Sequence, residues 1–190
     1  MIDTRFPNIG LTVLRTLALS LLSAAALAVP AFAQDDDEED RAEPLSAIGQ
    51  ARGLELYDRD AADPCRAERT QVRVVVNGVS AKGILKLELF GEKDFMKRSG
   101  KLRRIRVPAD DQPMLVCIDV PQPGDYAVVG YHDIDGDRRL DKKWNFKPKE
   151  PYGLSNNPKI ESLRLPKWEE TRFPVPVGGR DIVINLVDLG

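Results

Sequence analysis

The chain has 190 residues with 28 Lys and Arg against 30 Asp and Glu, a formal net charge of −2, and only two cysteines and one histidine. So even a balance, with no basic run interleaved with aromatics, argues against a nucleic-acid binder. No G-x-S-x-G, P-loop or dinucleotide fingerprint occurs, so nucleophilic and nucleotide chemistry have no motif to stand on.

The first elements are targeting and linker sequence. Arg5 and Arg15 flank a polar start, an apolar run follows from Thr16 to Val29, and Pro30 precedes the small-residue site Ala31, Phe32, Ala33. This is the layout of a cleavable secretory signal over residues 1–33. Its apolar core of roughly 14 residues falls short of the roughly 20 that a spanning helix needs. Cleavage between Ala33 and Gln34 leaves one domain of 157 residues with no second run able to span a membrane, periplasmic or secreted. Residues 34–44 hold seven acids and one base. With almost nothing apolar to bury, they read as an acidic disordered linker.

Residues 45–69 have weak periodicity and the breaker pair Asp63, Pro64, so they read as an irregular segment with room for one helical turn. In an oxidising compartment an even cysteine count favours a disulfide, Cys65 to Cys117, tying this segment to the body.

From Thr70 the pattern becomes short β-rich runs punctuated by turn residues. Val72, Val74 and Val76 alternate with Gln71, Arg73 and Val75, and Leu85, Leu87 and Leu89 alternate with Lys86 and Glu88. A helical turn is expected at 94–97. A strand over 102–107 places Ile105 and Val107 on one side and Arg104 and Arg106 on a solvated outer side. Strands over 114–120 and 126–132 flank a Pro123, Gly124 turn. The prolines of 171–177 suggest an edge strand, and 181–187 closes the set with Ile182, Ile184 and Leu186 inward. About seven strands over residues 70–190 predict an all-β fold, an antiparallel immunoglobulin-like or transthyretin-like β-sandwich.

Chemistry concentrates between His132 and Asp141. Asp133, Asp135, Asp137 and Asp141 stand at positions 1, 3, 5 and 9 of a loop, and the carbonyl of Arg139 falls at position 7, the spacing with which hand-type calcium loops begin. Hard carboxylate oxygens suit calcium, not zinc or copper. Position 6 is Arg138 where glycine is usual, and position 12 is Trp144 where a bidentate Glu would sit. Two readings therefore stand: a calcium loop, or a turn whose aspartates cap backbone amides and pair with Arg138, Arg139, Lys142 and Lys143. His132, with no second nitrogen or sulfur ligand near it, reads as structural.

Three further surfaces carry weaker signals. The bases Lys97, Arg98, Lys101, Arg103, Arg104 and Arg106 form a cluster that reads first as a solvated face and second as a surface for an anionic partner. Trp144, Tyr152, Asn156 and Asn157 combine aromatic and amide groups, as ligand surfaces for polysaccharide do and as packed loops also do. A hydrolase of envelope polymers would need Asp133, Asp137 or Glu150 facing a cleft.

The ordered string Val74 to Gly78, Lys82 to Phe90, Asp94 with Phe95, Pro123 to Val128, His132 with Asp133, Gly136, Leu140 with Asp141, and Tyr152 to Asn157 resembles the bacterial family called domain of unknown function 2141. The similarity runs from about Cys65 to Leu186. It implies an exported bacterial β-sandwich with no established activity. The expectation is therefore a non-enzymatic protein of the envelope that binds or scaffolds an envelope protein or polysaccharide, with calcium in the aspartate loop. A carbohydrate-binding module or an envelope-polymer hydrolase is the alternative.

Overall fold

The computed structural model describes residues 43–111, 113–143, 148–159 and 164–188. The expectations for residues 1–33, for the acidic run as far as residue 42, and for Trp144 lie outside them. Eight strands follow one another in the described chain: β1 Gln71–Asn77, β2 Ile84–Phe90, β3 Lys101–Pro108, β4 Met114–Asp119, β5 Gly124–Asp133, β6 Tyr152–Leu154, β7 Phe173–Val175 and β8 Arg180–Asn185. They form two sheets, one ordered β4-β1-β8 and the other β3-β2-β5-β6 with β7 also paired to β5.

Period-2 alternation explains most of this. Val72, Val74 and Val76 of β1 face Leu85, Leu87 and Leu89 of β2, and Ile105, Val116, Ile118, Val128, Val175 and Ile184 complete a core closed to water. Burying each such side chain stabilises the fold by about 1.5–3 kcal/mol. Gly130 keeps the large sheet tight. A Cβ there would meet the Leu87 Cδ2 atom at 2.6 Å.

Several features differ from the expectations. β1 pairs antiparallel with β4 but parallel with β8, Val74 lying opposite Val116 on one side and Ile182 on the other. A parallel neighbour requires a long connection, and here it comprises every element from β2 to β7. β6 is a strand of three residues, too short for alternation to announce. β6 and β7 share one edge of β5, and the buried Ser155 fills the step between them. Its hydroxyl accepts from the Val128 amide at 3.0 Å and donates to the Thr171 carbonyl at 2.6 Å. At 94–97 the expected helical turn is absent because Asp94 and Met96 adopt left-handed backbone, φ 57° and 60°.

The segment before β1 is more ordered than expected. Ser46 caps a helix, α1 Ala47–Arg52, by accepting from the Gly49 amide at 3.1 Å, and Gly53 ends it in the left-handed conformation. The chain then crosses the outer face of the large sheet through a 3-10 turn at Asp58–Asp60 and reaches β4, where the Asp63 amide donates to the Cys117 carbonyl at 3.0 Å and Cys65 is disulfide-bonded to Cys117. We call residues 45–65 the strap.

Because the two cysteines are 52 positions apart, the loop-entropy model assigns the bridge about 4 kcal/mol. Reduction, or Cys65→Ser with Cys117→Ser, is expected to lower the free energy of unfolding by about that amount in denaturant titrations, within the roughly 2–5 kcal/mol typical of native disulfides.

Candidate cation loop and its strap

The loop between β5 and β6 is built on carboxylates that accept backbone amides. Asp133, 1% exposed, takes the Gly136 amide on Oδ1 and the Arg138 amide on Oδ2, both at 2.7 Å. Asp135 Oδ1 accepts from the Asp137 amide at 3.2 Å, and Asp137 Oδ1 from the Arg139 amide at 2.8 Å. One carboxylate oxygen from each of Asp133, Asp135 and Asp137 lies within 4.8 Å of the others. Asp141 sits at the far end of the loop, paired with Lys149 at 2.9 Å.

Position 6 answers the glycine question directly. Arg138 itself takes the left-handed backbone, φ 70°, which costs a non-glycine residue roughly 1–2 kcal/mol. Its side chain reaches the strap. The guanidinium, on a side chain 1% exposed, lies 4.8 Å over the ring of Tyr57, 3.9 Å from Asp60 and 3.6 Å from Glu55, all on the strap. The Arg138 carbonyl accepts from the Tyr131 hydroxyl at 3.1 Å.

Glu150 completes the loop from outside the motif. Its Oε1 accepts from the Ile134 amide at 2.9 Å and its Oε2 from the Asp141 amide at 3.4 Å. In the sequence it stands only among the acids that a hydrolase would need facing a cleft. Instead Glu150 and Asp133 face backbone amides, while Asp137 faces solvent.

Burial pushes both inner carboxyls up to about 7. For Asp133 the Gly136 amide opposes the shift and the charges of Asp137 and Asp135 add to it. For Glu150 the Ile134 amide opposes it and the charge of Asp133 adds to it. His132 is buried behind them, its Nε2 2.7 Å from the Lys82 carbonyl, so that nitrogen carries a proton donated to the chain. Next to it Gly83, φ 73°, permits a contact no other residue would, since a Cβ would stand 2.0 Å from the Asp133 carbonyl.

The outer side of β3 is not the solvated face expected of alternation. Arg106 is 2% exposed because the strap lies over it, with Asp60 at 2.9 Å. Arg104, Lys86 and Lys101 gather around Glu88, at 3.9, 2.9 and 2.8 Å. Burial alone would raise the Glu88 carboxyl, but the charges of Lys86 and Lys101 hold it below the usual range. Arg103 reaches the strap too, donating to the Ala61 carbonyl at 2.7 Å and pairing with Asp63 at 3.2 Å.

The remaining surface candidates separate. Asn156 donates to the Arg172 carbonyl at 2.8 Å, while Asn157 donates to the Val183 carbonyl at 2.8 Å and accepts from the Asn185 amide at 2.7 Å. Both amides thus staple neighbouring segments, from left-handed backbone that asparagine tolerates. Tyr152 is half-buried on β6, where burial raises its phenol. Trp168 is packed edge-on against Phe95, 5.6 Å between centroids.

Fold and site together define a strapped β-sandwich with an aspartate loop at one end of its large sheet. The chain belongs to the family described as "Uncharacterized protein conserved in bacteria (DUF2141)", which matches residues 74–183. No curated protein and no solved structure matches the chain.

Unfolded Asp and Glu titrate near 3.9 and 4.3, so between about pH 4 and 7 the folded protein holds protons on Asp133 and Glu150 that the unfolded chain has released. Stability contributed by these groups therefore falls as pH rises through that window. Thermal melting in chelator is expected to show a lower Tm at pH 8 than at pH 5, and Glu150→Gln is expected to flatten the difference. Asp60→Ala removes the buried carboxylate that Arg106 and Arg138 share and is expected to cost about 3–5 kcal/mol in urea unfolding.

Proposed function

We propose that this protein is an exported, non-enzymatic module of the bacterial envelope, binding or scaffolding a neighbouring envelope protein or polysaccharide, with calcium held in the loop from Asp133 to Asp141. The observation that carries the export reading is the Cys65 to Cys117 disulfide. Such bridges persist in the periplasm or outside the cell and are rare in the cytosol. The signal-like residues 1–33 agree with it. Among the described residues no helix is long and apolar enough to cross a membrane.

Support for calcium lies in the loop geometry. A left-handed residue at position 6, amide bonds from positions 4 and 6 back to the first aspartate, and three converging carboxylates match the needs of a hard, oxygen-ligated cation. Each carboxylate oxygen keeps a lone pair beyond the amide bond it accepts. By its place in the spacing the Arg139 carbonyl would supply position 7. A cation there would compete with the proton on Asp133, whose carboxyl burial pushes up to about 7. A binding role, in preference to a catalytic one, is favoured because the buried carboxylates are spent on the backbone.

Export is tested by intact mass of the protein recovered from periplasmic extract and medium. A chain beginning at Gln34 is expected, and a full-length cytosolic chain overturns the reading. Calcium is tested by calorimetry and by melting at pH 8. At a hundredfold excess over Kd a native-state ligand adds about 2.7 kcal/mol, a rise of roughly 5–10 °C for a domain of this size. The gain is expected to vanish in Asp135→Asn with Asp137→Asn. No heat at millimolar calcium and an unchanged Tm sink the proposal.

A further inference from the structure

We propose that the aspartate loop and the strap are a single conformational unit, with Arg138 as the positioning residue through which the strap responds to the state of the loop. The calcium arm of this inference rests on the cation reading above, whereas the mechanical coupling does not.

Arg138 belongs to both parts. Its main chain is fixed in the loop, the amide donating to Asp133 and the carbonyl accepting from Tyr131. Its guanidinium is fixed under the strap, against Tyr57, Asp60 and Glu55. The left-handed backbone sets the direction in which the side chain leaves the loop. Any change that lifts the Arg138 amide from Asp133 therefore redirects a buried cation out of its place beneath the strap.

A second contact links the same two parts. Leu54 of the strap lies on Gly136 of the loop, so close that a Cβ on Gly136 would stand 3.3 Å from Leu54 Cδ2. Asp60 cannot simply follow a moving Arg138, because Arg106 of β3 holds it at 2.9 Å.

The strap is anchored unequally. Residues near 63–65 are pinned by the disulfide, by the Asp63 amide on Cys117 and by Asp63 Oδ2, which accepts from the Asp119 amide at 2.8 Å. Around residues 59–61 Arg106 holds Asp60 and Arg103 donates to the Arg59 and Ala61 carbonyls, while nearer Leu54 the strap packs on the loop and on Arg138, which meets Glu55 and Tyr57. Loosening the loop thus frees the α1 end of the strap while the Cys65 end stays tethered. By linkage, an intact strap in turn favours the loop geometry that presents the carboxylates.

Hydrogen exchange read by mass spectrometry on the full chain tests this. Asp133→Asn and Arg138→Ala are expected to speed exchange in peptides covering residues 45–60 by roughly tenfold, the scale of ordinary site coupling, with β1 and β8 unchanged. Tyr57→Ala, a change on the strap alone, is expected to speed exchange of residues 133–141. In the unaltered protein millimolar calcium is expected to slow exchange of the strap, and in Arg138→Ala it is not. Strap exchange that is unchanged, or that rises only together with β1 and β8, overturns the coupling. If calcium raises the Tm yet leaves strap exchange as it was, the coupling falls and the cation reading stands. If calcium does nothing while Asp133→Asn and Tyr57→Ala act as stated, the coupling stands and the cation reading falls.

Discussion

A guanidinium withdrawn from water must be met by a fixed negative charge, and in this protein that requirement is concentrated at Arg106. The residue points away from the hydrophobic core yet is almost wholly buried, and its partner Asp60 comes from a segment that is not part of the sandwich. The strap is therefore not an accessory to a finished sandwich. Without it the charged face of β2 and β3 would be a different surface, open to water and to partners. With it, the protein has a second interface, polar and specific, laid over the outside of its large sheet. A buried ion pair of this kind adds little net stability compared with a hydrophobic substitute, but breaking one half of it is costly. It fixes where the strap must lie.

The same logic extends to the aspartate loop. Its carboxylates are organised by backbone amides, so the loop's shape is set by the chain itself. For the cation proposed above, that preorganisation would lower the ordering cost of binding. The penalty is a concentration of acidic groups with poor access to solvent, felt as the raised titration of Asp133 and Glu150. Arg138 carries its charge from the loop to the strap, where Tyr57 and Asp60 meet it. The loop and the strap thus divide one problem of charge burial between them.

Much of the sandwich is legible in the chain because it depends on a short-range rule. Alternating Val72, Val74, Val76 and Leu85, Leu87, Leu89 mark β1 and β2 with their inner faces, and the Pro123, Gly124 turn marks the start of β5. The three-residue β6 is too short to alternate, and Asp94 and Met96 depart from a helical turn through backbone conformations that composition does not reveal. The spacing of Asp133, Asp135 and Asp137 identifies the loop. It gives no sign of Glu150, whose part depends on a return of the chain to the Ile134 amide. Asn156 and Asn157 read in sequence as either ligand groups or loop packing and serve as staples in the fold, a choice decided by which carbonyls lie within their reach.

What the sequence determined by itself is local: the strand faces, the turn residues, the cysteine pair and the acidic spacing of the loop, each a consequence of periodicity or residue type over a few positions. What only the tertiary structure decided is which charged side chains are removed from water. Alternation placed Arg106 correctly outside the core and yet said nothing of its burial, because burial depends on the strap arriving from 46 positions earlier in the chain. Arg138 looked like a defect at a glycine position, and its role under Tyr57 appears only when the loop and the strap are brought together. Long-range burial of charge has no period to read, since it is set by the path of the chain through space.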